Sequence, residues 1–195
     1  MTKAELRTEY IKKRKTLSHD EVLTFSAEIF NRFKNQFKKF SGQKVHCFLS
    51  ISEKKEVNTN VFLNYFFENG CRVFVPKIVK GELISVEIFQ DSTLIKNAWG
   101  ISEPETNIDC GENDFDLIIT PLLYCDSTGN RVGFGKGYYD GFFSRINKKA
   151  SKIGVNFFEP SEIVDDIWEK DIPLDYLITP TATLSFGISK SKSTK

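Results

Sequence analysis

The run Asp126-Ser127-Thr128-Gly129-Asn130-Arg131-Val132-Gly133-Phe134-Gly135-Lys136-Gly137-Tyr138-Tyr139-Asp140 brings glycines, cations and carboxylates together at close spacing. Glycines at 133, 135 and 137 let the main chain approach a ligand and aim several N–H groups one way. A helix beginning near Tyr138 would add the positive end of its dipole, and Arg131 and Lys136 add full charges. The chemistry this suggests is capture of a phosphate. Asp140, just inside that helix, either complements the dipole or, beside a bound phosphate, holds Mg²⁺. That ion takes one or two carboxylates together with phosphate oxygens and water. Asp126, Asp171 and Asp175 are the other carboxylates of interest. The run is not a Walker A loop, because Asn130 stands where a glycine is needed and Gly137 where Ser or Thr is needed. It is not a dinucleotide fingerprint either, since Tyr138 occupies a required glycine position. A glycine-rich turn with incidental charges is the remaining alternative.

Such a loop has to be carried by a scaffold. The residues before it, Phe115 to Pro121, form a continuous apolar run of the kind found in central parallel strands. Further strands are expected over 44–50, 71–76, 83–89, 152–157 and 176–179, and helices over 58–69, closed by Gly70, and from Tyr138 to Lys148. Ser18 followed by Glu21 is a capping box. Val22, Phe25, Ile29, Phe33, Phe37 and Phe40 then repeat at helical steps, a stripe better suited to core packing than to a ligand box. Residues 2–17 read as an exposed helix whose Lys3, Arg7 and Arg14 form a solvated face. Strands alternating with helices predict an α/β sheet with helices on both faces, and ligands in such sheets collect beyond the carboxyl ends of strands.

Composition narrows the function classes. With 40% apolar and 27% charged residues the chain has a globular profile, and 195 residues fit one domain, expected over 1–188 with a polar tail at 189–195. A net charge of +1 argues against wholesale nucleic-acid or membrane binding. The charged start lacks a signal-peptide core, and no apolar stretch approaches the ~20 residues of a membrane span. Cys47, Cys71, Cys110 and Cys125 are scattered without metal-ligand spacing, so reduced thiols and a cytoplasmic location are the expectation. With His19 and His46 alone, chemistry that needs a histidine cluster is disfavoured.

The segment Arg131-Val132-Gly133-Phe134-Gly135-Lys136-Gly137-Tyr138-Tyr139-Asp140 resembles the signature of the 5-formyltetrahydrofolate cyclo-ligase family, also called 5,10-methenyltetrahydrofolate synthetases. The likeness extends to Lys3-x-x-x-Arg7, Phe48-Leu49-Ser50 with Glu56-Val57-Asn58-Thr59, Val75-Pro76-Lys77, a Trp99/Pro104 segment and Asp171 to Thr179; Gly141 stands where many members carry Arg. The resemblance implies a single-domain three-layer α/β/α sandwich with a mostly parallel, mixed sheet, of the NagB/RpiA/CoA-transferase-like fold. It implies ATP-driven closure of 5-formyltetrahydrofolate, a small-molecule substrate, to 5,10-methenyltetrahydrofolate through a phosphorylated imidate; no obligatory protein partner is evident. It would assign Lys3, Arg7, Arg131, Gly133, Phe134, Gly135, Lys136, Gly137, Tyr138 and Tyr139 to ATP, with Lys136 and Arg131 stabilising phosphoryl transfer. Asp140 and Asp171 would hold Mg²⁺, with Asp175 ranked below them. Leu49, Glu56, Phe134 and Tyr138 would face the folate. For Glu56 the residue-level alternative is helix capping near Asn58, and Trp99 either stacks on substrate or packs. Two further functions share the layering: a sugar-phosphate isomerase or CoA-transferase-like enzyme that uses no ATP, and a non-catalytic nucleotide-binding module.

Overall fold

The computed structural model describes residues 1–38, 40–97 and 101–187; Trp99 and the tail 189–195 lie outside the described residues. Helices α1 (Lys3–Thr16) and α2 (His19–Gln36) each open with a reciprocal capping box, Thr2 with Glu5 and Ser18 with Glu21. Each box satisfies N–H groups that a helix start leaves without partners. The stripe on α2 buries Val22, Ile29 and Phe33, as the spacing predicts. The helix stops at Gln36, so Phe40 reaches the same core from the following loop and stacks on Phe33 at 5.5 Å.

Strands β1 (Lys44–Cys47), β2 (Arg72–Val79), β3 (Glu82–Ile88), β6 (Leu117–Pro121), β9 (Ser151–Val155), β10 (Tyr176–Ile178) and β11 (Thr183–Ser185) form one sheet ordered β11-β10-β9-β6-β1-β2-β3. Its five inner strands are parallel and its two edges, β3 and β11, run antiparallel. Period-two alternation splits the side chains between two faces. Val45, Cys47, Val73, Val75, Leu117 and Ile119 meet the phenylalanines of α2 and of α3 (Asn60–Glu68). On the other face Phe74 and Ile118 meet Phe142 and Phe143 of α4 (Tyr138–Arg145). The result is a three-layered α/β arrangement with a mixed, mostly parallel sheet. None of the helices among the described residues is long and apolar enough to cross a membrane.

Several boundaries differ from expectation. Phe115 is buried ahead of the central strand, which starts at Leu117. Helix α4 ends at Arg145, three residues early, and Asn147 turns to donate its N–H to the Asn113 carbonyl at 2.7 Å. Two hairpins, β4 (Leu94–Lys96) with β5 (Ser102–Pro104) and β7 (Tyr124–Cys125) with β8 (Arg131–Val132), were not expected, nor was β11. Strands of two or three residues are too short for alternation to register.

The strand order fixes where a ligand can sit. From β1 the chain crosses through α3 to β2, whereas from β6 it crosses through α4 to β9 on the opposite side. The two paths diverge between β1 and β6, and a crevice opens beyond the carboxyl ends of those strands. The segment 48–56 follows β1 and the glycine loop follows β6, so the two lie on either side of that crevice.

Candidate active site

The glycine loop hangs from the short β7–β8 ribbon, and its first half is closed on itself. Buried Asp126 accepts from Thr128 N at 2.9 Å, Thr128 Oγ1 at 2.8 Å and Asn130 N at 2.9 Å through Oδ1. Its Oδ2 accepts from Asn130 Nδ2 at 3.0 Å and from Val164 N at 3.3 Å. Burial by itself pushes this carboxyl's pKa up, but the donors on Asn130 and Thr128 outweigh it and hold the group below its usual range. Asp126 is therefore a turn staple and not, as its place in the sequence allowed, a metal ligand, because both oxygens are already taken.

The second half is open. Among the described residues, none accepts a hydrogen bond from the backbone N–H groups of residues 133–137, and Phe134 to Gly137 are exposed. Gly135 (φ +84°) and Gly137 (φ +69°) take left-handed conformations that a side chain resists. Gly135 is fixed for a second reason: a Cβ there would lie 3.1 Å from Arg7 Cζ. The Arg7 guanidinium lies against the loop and donates Nε–H to the Gly133 carbonyl at 2.9 Å. Gly137 is the N-cap of α4, so the helix dipole points into the open half. Lys136 is exposed beside these amides.

Arg131 is buried and triply held. It pairs with Asp140 Oδ1 at 2.7 Å, donates to the Ile172 carbonyl and covers the Phe143 ring at 4.6 Å. Burial pulls its pKa down, and the Asp140 carboxylate pulls it back up. The Ile172 N–H also reaches Asp140 Oδ1, at 3.4 Å, which brings Asp171 next to Asp140. Asp171 Oδ2 accepts from Lys3 Nζ and from Trp168 N, the latter at 2.6 Å. Each carboxylate therefore keeps one oxygen that accepts nothing from the described residues. Neighbouring carboxylates with an oxygen to spare are the ligands Mg²⁺ takes, its shell completed by phosphate and water. Among the described residues no three His, Cys, Asp or Glu side chains cluster as a fuller metal site. Asp175 stands apart from this pair, taking Lys152 N at 2.7 Å and Lys152 Nζ at 2.8 Å.

The far side of the crevice is built by the segment after β1. Glu56 is buried and accepts from Ile51 N at 2.9 Å, closing the turn Ser52–Lys54; the helix-capping alternative near Asn58 fails, because Asn58 itself accepts from Asn60 N. Burial pushes the Glu56 carboxyl up, opposed by the Ile51 N–H and by the charges of Arg14 and Lys54. Lys55 Nζ binds the Lys15 and Leu17 carbonyls, which fastens this segment to the C-terminal end of α1. Lys54 Nζ lies over the Phe134 ring at 4.7 Å and links the two walls. Leu49 is half-buried against the core, and Tyr138 is half-buried at the start of α4. The Tyr139 hydroxyl is buried and has no partner among the described residues; burial raises its pKa well above the usual phenol value, and the nearby Cys47 and Glu56 add to that.

Helix α1 runs along the whole crevice, which corrects its reading as a solvated face. Lys3 meets Asp171, Arg7 meets the glycine loop, and Arg14 is buried, donating Nη2–H to the Leu122 carbonyl near Glu56. These positions fall on one side of a helix. The burial of Arg14 was not expected, although it continues the apolar series Leu6, Tyr10 and Leu17 at helical spacing, a sign that it points inward.

Comparison with known proteins identifies the family. The model of the 5-formyltetrahydrofolate cyclo-ligase family matches residues 1–180. A probable 5-formyltetrahydrofolate cyclo-ligase of Schizosaccharomyces pombe is 33% identical over 152 residues, covering 69% of this chain and 74% of that protein. The 5-formyltetrahydrofolate cyclo-ligase of Mycoplasma pneumoniae is 28% identical over 184 residues, covering 91% and 98%. The solved structure of 5,10-methenyltetrahydrofolate synthetase from Aquifex aeolicus superposes with a TM-score of 0.81 at 28% identity, covering 100% of this chain and 97% of that one. A match over nearly the entire length, on a chain whose signature segment forms one wall of the crevice, means that this protein belongs to the 5-formyltetrahydrofolate cyclo-ligase family.

Proposed function

We propose that the protein is an ATP-dependent ligase that converts 5-formyltetrahydrofolate to 5,10-methenyltetrahydrofolate, releasing ADP and phosphate. The observation that carries this reading is the row of amides at 133–137 that find no acceptor among the described residues, flanked by Arg7 and Lys136, with a buried carboxylate across the crevice. A formamide oxygen is a poor leaving group, so the reaction needs it phosphorylated. The formyl oxygen attacks the γ-phosphorus, the bond to the β-phosphate breaks and ADP departs. N10 then adds to the imidate carbon, its proton is lost, and the carbon–oxygen bond breaks to expel phosphate. Phosphoryl transfer asks a protein mainly for alignment and charge stabilisation.

In this reading the amides of 133–137 and Lys136 hold the γ-phosphoryl group as charge moves onto ADP, with Lys3 and Arg7 on the remaining phosphates. Arg131 fixes Asp140 and keeps the loop's base rigid. Glu56 orients the pterin by accepting from its amino and ring N–H groups, with Leu49, Phe134 and Tyr138 packing against the rings. Asp140 and Asp171 would hold Mg²⁺, which neutralises phosphate charge when bound. The ion pairs that now occupy these acids and cations would exchange partners as metal and nucleotide enter. No cysteine is needed, and burial pushes the thiols of Cys47 and Cys125 far up, away from nucleophilic use. The test is growth of methenyl-product absorbance from 5-formyltetrahydrofolate with and without ATP and Mg²⁺. Product that requires both is the expected result; ATP-independent turnover, or ATP binding without product, overturns the proposal.

A further inference from the structure

Trp168 is 72% exposed, the highest exposure of any large aromatic among the described residues, and Ile163 and Ile167 beside it are about half exposed. Its indole makes no ring or cation–π contact among those residues, yet its main chain is held firmly. The Trp168 N–H donates to Asp171 Oδ2, the Trp168 carbonyl accepts from Asp171 N at 3.0 Å, and Asp171 in turn holds Lys3. The segment is also fastened to the start of α1 through Lys3 N on Asp166 Oδ1 at 2.6 Å. An apolar ring is thus presented to solvent on a rigid mount, where a structural tryptophan would be buried.

Helix α1 supplies a ruler for what that ring faces. From Arg14, near Glu56, to Lys3 is three helical turns, about 16 Å, with Arg7 and the glycine loop between. If the folate ring lies at the Glu56 end and the terminal phosphate on residues 133–137, the remainder of the nucleotide extends past Lys3. Trp168 is mounted on that end. We propose that the Trp168 indole is the stacking platform for the nucleotide's base, a residue that sets affinity for the nucleoside part and leaves the phosphates to the loop. This rests on the ATP reading given above. Stacking on a ring face tolerates any base, so the platform grips the nucleoside without reading its hydrogen-bonding edge.

The experiment compares Mg²⁺-ATP with Mg²⁺-tripolyphosphate, which keeps the phosphates and lacks the nucleoside, by calorimetry on the full chain. Trp168→Ala should weaken ATP about tenfold, while tripolyphosphate changes less than about twofold and Trp168→Phe recovers most of the loss. In steady state the same variant should raise KM for ATP and leave kcat nearly unchanged. Equal weakening of both ligands would mean that Trp168 acts only through Asp171, and overturns the proposal. Unchanged ATP affinity, or a loss confined to 5-formyltetrahydrofolate, overturns it as well. Failure of the unaltered protein to bind either phosphate ligand would instead remove the ATP reading and this platform with it.

Discussion

The two halves of the loop after β6 are neighbours in sequence and opposite in physical character. Residues 126–130 form a closed unit, in which one buried carboxylate takes five donors and leaves nothing for a ligand. Residues 133–137 are the reverse, a row of amides with no partner among the described residues and an exposed lysine beside them. An aspartate that accepts five hydrogen bonds is a structural part, whereas donors left without acceptors at a helix start form a site for an anion. The lesson is that a residue's chemistry is set by how much of its bonding capacity the fold has already used.

The sharpest way to break this contrast is Lys136→Ala. The open half should lose function without losing stability, so kcat/KM should fall by about 10²–10³ with an unchanged melting temperature. A loss of less than threefold, read in the methenyl-product assay, would take Lys136 out of the phosphate site. Asp126→Ala is the mirror experiment. It should cost about 3 kcal/mol of stability by stripping a buried hub of its acceptor, while the folded fraction keeps its nucleotide affinity. Denaturant unfolding together with calorimetry on the same sample checks both halves of that statement.

The smallest effect concerns a group away from the crevice. His46 lies under α4 against Phe142, at 4.6 Å, with both ring nitrogens buried and without a partner among the described residues, and burial lowers its pKa to about 3. The unfolded chain binds a proton near pH 6.5 and the folded chain does not, so stability is full above that pH and falls as pH drops toward 3. About 2 kcal/mol should be lost between pH 7 and pH 5 from this residue. His46→Leu should flatten that part of the stability–pH curve; an unchanged slope would show that His46 finds a partner on protonation.

Local chemistry made much of the scaffold legible beforehand. The Ser18 capping box, the phenylalanine stripe of α2 and the central strand after Phe115 depend on neighbours in sequence, and each is found within a few residues of expectation. The glycine loop was readable for the same reason, since positive φ at Gly135 and Gly137 is a property of the residue type. The boundaries failed where the deciding partner was remote. Nothing near Asn147 in the sequence says that its N–H will be taken by Asn113 and the helix ended there. The hairpin β7–β8 is likewise too short to declare itself without its partner.

The same division runs through the site. The amino-acid sequence by itself determined the anion-seeking loop, the sheet that carries it and the carboxylates available, because backbone freedom, periodicity and charge are local quantities. Only the tertiary structure decided which aspartates remain available, since Val164, far along the chain, completes the set of donors that fills Asp126. It also decided that α1 faces inward. A helix has no preferred outward side until a sheet is laid against it, and burial of Leu6 and Tyr10 against β7 and β8 turns Lys3 and Arg7 toward the crevice and buries Arg14 with them.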